Sequence, residues 1–130
     1  MRYLLCLLVG LLAGALLAST AASVLQRRNA LPRALMTLMQ HDLAESRAAT
    51  RTPACMTERL SAAQARLHFL AGDLERSMLA AGTRDRVFAQ YADDLRATIA
   101  RWDAKTACAA QAQALIEIGN ACEACHRDYR

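Results

Sequence analysis

The sequence predicts an all-α protein whose domain is an antiparallel up-down-up-down four-helix bundle. Three observations carry this. Only two prolines and five glycines interrupt 130 residues. Alanine and leucine, both strong helix formers, are abundant, and no run alternates apolar with polar residues as a half-buried strand does. In the segments between the breakers, apolar positions recur in steps of three and four, which keeps one apolar seam on a helix.

The first element is an N-terminal leader. Met1-Arg2 precedes an apolar run, YLLCLLVGLLAGALLA, and then the small residues STAAS. A short basic start, an apolar centre and small residues before a cleavage point after Ala21 or Ala22 form an export signal over 1–22. The alternative is a membrane anchor over 3–25, because apolar or small residues continue to Leu25. Arg27, Arg28 and Arg33 would then follow on the external side, against the positive-inside tendency. Residues 23–130 form one domain, roughly a hundred residues and enough for a single core.

Four helices follow by their punctuation. The first starts near Asn29, tolerates Pro32 in its first turn and runs through Leu35, Met36, Met39 and Leu43 to about Arg47. The second opens with Thr52-Pro53, a cap followed by proline at the first helical position, and closes at Gly82. Its seam is Met56, Leu60, Ala63, Leu67, Leu70 and Leu74. Thr83 caps the third, with Phe88, Ala92, Leu95, Ile99 and Trp102 as its seam. Asp103 or Thr106 caps the fourth, through Leu115, Ile118 and Cys122 to the chain end. Four such helices joined by short loops close around a shared core.

The net charge is +4, or one less without Arg2. Its basic residues are spread along the helices with no aromatic interleaving, so nucleic acid is not an expected partner.

Five cysteines sort by position. Cys6 lies in the leader, Cys122 and Cys125 in CEACH, and Cys55 and Cys108 are left as a candidate disulfide, since an exported protein can oxidise such a pair. As first turns of the second and fourth helices, which run parallel, these last two fall at one end of the bundle. Such helices are usually diagonal, whereas a disulfide needs Cα atoms within about 7 Å.

CEACH carries the chemistry. Two thiols and an imidazole at i, i+3 and i+4 share one helix face, so both cysteines can form thioethers to the vinyl groups of one haem while His126 reaches its iron. Rival readings are a Cys122–Cys125 disulfide, a redox-active CxxC and half of a zinc site. A redox dithiol sits at a helix N-terminus, where the dipole lowers the thiol pKa, but this motif ends a helix. Zinc needs further ligands, and His41, His68, Cys55 and Cys108 form no second closely spaced pair.

The stretch ALIEIGNACEACHRDYR, with haem attachment at the end of the last helix, resembles the class II cytochromes c, the cytochrome c-prime family, over about Ala30 to Arg130. The resemblance implies a four-helix bundle with one covalent haem c. It matches Cys122 and Cys125 to the thioether cysteines, His126 to the proximal iron ligand, Arg130 to the terminal arginine near the haem edge, and Tyr129 to the aromatic before it. Gly119 and Ala121 are small residues that would let the macrocycle lie close to the helix.

Family members differ on the other haem face, where a methionine gives six-coordinate low-spin iron and a bulky apolar residue leaves it five-coordinate. Aligning ALMTLMQ with that segment places Met36 there, with Met39 one turn along; a thioether ligand raises the reduction potential. Methionine at helical spacing also serves as plain packing. Many members carry an arginine four residues earlier, where this chain has Pro32; Arg28 and Arg33 are out of step. His41, about 140° further round than Met36, is off the haem-facing stripe, and His68 neighbours the seam; both read as surface or structural histidines.

The expected function is periplasmic one-electron transfer between redox partner proteins, with no enzymatic constellation beside the haem. The alternative is a five-coordinate haem protein that binds nitric oxide or carbon monoxide. An anchored form would face the periplasm. The resemblance also implies a homodimer through the first two helices, although no seam on them marks one.

Overall fold

A computed structural model describes residues 2–28, 30–52 and 55–129. The chain is all-helical, with no strand among the described residues. It divides into two compact units, residues 1–33 and 34–130.

In the first unit, α1 (Arg2–Arg28) is long and apolar enough to cross a membrane, with mean hydropathy 2.3 for the span Arg2–Val24. Leu7, Leu11, Leu16 and Val24 are all exposed. An exposed apolar helix of this length is the property that a leader and an anchor share.

The second unit contains most of α2 (Ala30–Thr50), and α3 (Thr57–Gly72), α4 (Leu74–Met78), α5 (Arg86–Arg101) and α6 (Cys108–Asp128). The three-and-four spacing delivers the core: Leu35, Met39 and Leu43 of α2, Leu60 and Leu67 of α3, Phe88, Leu95 and Ile99 of α5, and Leu115 and Ile118 of α6 are buried. Helix α5 packs along α6 and against α3. Asp42, buried on α2, accepts from the guanidinium of Arg66 on α3 at 2.8 Å, and Arg96 of α5 reaches Glu75 of α4 at 3.0 Å.

The helix ends differ from the sequence expectation in several places. Residues 29, 53 and 54 lie outside the described residues, so the expected caps at Asn29 and Thr52-Pro53 are not described; α3 starts at Thr57, and Met56 is exposed rather than part of the seam. The helix expected to run unbroken to Gly82 stops at Gly72. There the Asp73 N–H donates to Leu70 O at 3.1 Å, a tightened last turn, and the Asp73 carboxylate pairs with Arg76 as α4 restarts. A turn at Gly82, whose φ of +83° favours glycine, then leads to α5.

That helix is capped by Asp85 rather than Thr83. The carboxylate accepts from the N–H groups of Val87 and Phe88 at 2.9 and 3.0 Å, satisfying two orphan donors. Trp102 is the residue that follows α5, buried though not helical. Neither Asp103 nor Thr106 caps α6, which starts one residue after Ala107. Instead Asp103 accepts from the Lys105 N–H and organises the connecting turn.

Candidate functional site

The two ends of α6 hold two different cysteine pairs. At its start, Cys108 is joined to Cys55 as a disulfide, with Cα atoms 5.7 Å apart. Cys55 is not in a helix. It occupies the loop before α3, and its left-handed φ of 39° belongs to that loop. A loop cysteine escapes the diagonal separation expected between two helices.

At the other end, Cys122 and Cys125 are free thiols. Burial pushes the Cys122 thiol up, the neighbouring Cys125 adds to this, and the guanidinium of Arg47 pulls the other way. Cys125 is also raised, by burial first and then by Asp128. Raised thiols favour the neutral, weakly nucleophilic form, the opposite of a poised redox dithiol.

Both cysteines line a cavity of about 340 Å³, within the range of cofactor pockets. Helix α6 contributes His126 one residue after Cys125, and Gly119 one turn before Cys122. Helix α5 contributes Phe88, Tyr91 and Leu95, and α3 contributes Leu67. The facing wall is one stripe of α2: Met36, Gln40, Leu43 and Arg47, spaced as i, i+4, i+7 and i+11. Met39 also lines it, more deeply buried than the half-buried Met36.

The cavity therefore brings together Met36, Cys122, Cys125 and His126, residues that the sequence assigns to one centre, and it brings Met39 with them. Arg130 lies outside the described residues. His41 and His68 are both exposed, and neither lines the cavity. The helix end that carries His126 is held by Tyr129, the residue that follows α6. Tyr129 donates its hydroxyl to Asp85 at 2.8 Å and meets the rings of Phe88 and Tyr91 edge-on, at 5.2 and 6.2 Å. This hydrogen bond pushes Tyr129 up to about 12. Tyr91 in turn donates to Asp128 at 2.6 Å. The end of α6 is thus pinned to the first turns of α5.

Arg47, which the sequence places only near the end of a helix, is a cavity residue that the sequence reading does not find. Its Nη2 donates to Leu115 O at 3.3 Å, and a Cβ added to Gly119 would collide with the same guanidinium. The close approach that glycine permits at 119 is made by Arg47. Its spacing from Met36, about three helical turns, was the available signal.

Among the described residues no three His, Cys, Asp or Glu side chains gather as a metal-holding group. A haem iron takes four ligands from its own macrocycle, and the protein needs to add only axial ones. Comparison with protein-family models, curated proteins and solved structures finds no match to this chain.

Proposed function

We propose that this chain is an exported c-type cytochrome of the class II kind. In this reading the second unit is an antiparallel four-helix bundle that binds one haem covalently on its last helix and transfers single electrons in the periplasm. The supporting observation is the convergence of Cys122, Cys125, His126 and Met36 on one largely apolar cavity. Two thiols, an imidazole and a thioether are the donor set such a haem needs, and sequence spacing alone does not bring Met36 to the others. The donor chemistry and the cavity fit the group.

A bound haem supplies a one-electron iron couple. Cys122 and Cys125 would hold it through thioethers, His126 would be the proximal ligand, and Met36 the sixth ligand from the facing helix. Leu43, Leu67, Phe88 and Leu95 line the cavity and would keep water from a bound haem, which would limit reorganisation when charge changes. The link from Tyr129 to Asp85 holds the helix turn that carries His126.

The test is the pyridine haemochrome of the protein produced with a c-type maturation system. One haem per chain that resists acid-acetone extraction is expected. Protein recovered folded, with both thiols alkylatable and no haem, would overturn the reading.

A further inference from the structure

We propose that Arg47 is the anion-recognising residue of the cavity and pairs with the carboxylate edge of the bound haem. This rests on the haem reading above and adds a residue that the family resemblance does not supply.

Arg47 is exposed to solvent and lines the cavity without an ion pair of its own among the described residues. Arg66, Arg76 and Arg96 each reach a carboxylate at 3.0 Å or less. Among the described residues no carboxylate lies within 4 Å of the Arg47 guanidinium, although Glu123 lines the same cavity. Its one hydrogen bond, to Leu115 O at 3.3 Å, is long for an N–H donor. That carbonyl also lies inside α6, where main-chain bonding already uses it.

A guanidinium carries five donors, and two parallel ones match a carboxylate. Among the described residues that line the cavity, Arg47 alone is a Lys or Arg. The other titratable groups facing the cavity are Tyr91 from α5 and Cys122, Glu123, Cys125 and His126 from α6. None of them supplies a fixed positive charge as Arg47 does. The seat is built as well as the charge, since Gly119 is the residue that lets the guanidinium cross to α6.

An anionic cofactor is thereby offset by a fixed cation, which favours the reduced form. The experiment is equilibrium redox titration of haem-loaded Arg47→Lys, Arg47→Leu and Arg47→Glu beside the parent, after haemochrome quantification of each. The midpoint potential should follow the charge at position 47. Lysine should stay near the parent. Leucine should shift the one-electron equilibrium toward the oxidised form by about tenfold, about 59 mV, and glutamate further still.

A structural role would lower thermal stability without this ordering. Where the leucine and glutamate variants do not accumulate, Gly119→Ala carries the test, because it displaces the guanidinium while keeping its charge in the chain. It should lower the potential while lysine does not. Haem-loaded Arg47→Leu or Gly119→Ala with the parent's potential would overturn the assignment and leave the haem reading standing. A parent without covalent haem would overturn both.

Discussion

The two ends of α6 pose the same local problem and solve it differently. Near Cys108 the helix is closed by a disulfide and by Trp102, Gln111 and Leu115, all essentially inaccessible to water. Fourteen and 17 residues later, roughly 21 to 26 Å along the axis, Cys122 and Cys125 are unpaired and border a cavity. Redox chemistry alone does not separate these pairs, because cysteines in one chain meet the same oxidant. Surroundings separate them. Cys108 meets a cysteine from a loop, whereas Cys122 and Cys125 share a face with an imidazole and look across at two methionines.

The largest expected effect breaks the cavity end alone. Cys122→Ser with Cys125→Ser should abolish covalent haem, read as loss of haem staining after denaturing electrophoresis, while circular dichroism stays helical. At the closed end, Cys55→Ser with Cys108→Ser should cost about 4 kcal/mol, because the bridge closes a long loop in the unfolded chain. Denaturant titration of the haem-free protein checks this, and a reductant should produce the same loss in the parent. Both thiols alkylating without reduction would deny the bridge.

Between the ends, Leu115→Ala removes a side chain with no accessible surface and should cost about 3 kcal/mol. The same titration reads it, and haem content should be retained.

The smallest effect concerns the clamp behind His126. The Asp85 carboxyl is held below its usual range by the Phe88 N–H first and the Tyr129 hydroxyl second. A carboxyl lowered in the folded state contributes stability above its unfolded pKa and loses it as pH falls through the folded one. Asp85→Asn should therefore lower the melting temperature slightly at neutral and alkaline pH, and its profile should converge with the parent's at acid pH, where the parent has lost the same stabilisation.

Much of this contrast was legible in the residues. The steps of three and four identified most buried positions of α2, α3, α5 and α6, because apolar burial is periodic on a helix. The i, i+3, i+4 spacing put Cys122, Cys125 and His126 on one face. Helix ends were less legible, since a local choice such as Asp85 over Thr83 depends on which carboxylate or hydroxyl reaches the orphan N–H groups. The convergence of Met36 with CEACH and the seat of Arg47 over Gly119 are tertiary. They depend on how α2 faces α6, which no single-helix pattern encodes. The pairing of Cys55 with Cys108 likewise depended on Cys55 lying in a loop.

The most direct test of the account is the visible spectrum of the haem-loaded protein, ferric and ferrous, with carbon monoxide added to the reduced form, for the parent and for Met36→Ala. The account predicts a low-spin parent unaltered by carbon monoxide and a high-spin variant that binds it. A parent that is high-spin and takes up carbon monoxide would contradict Met36 as ligand and favour gas binding over electron transfer.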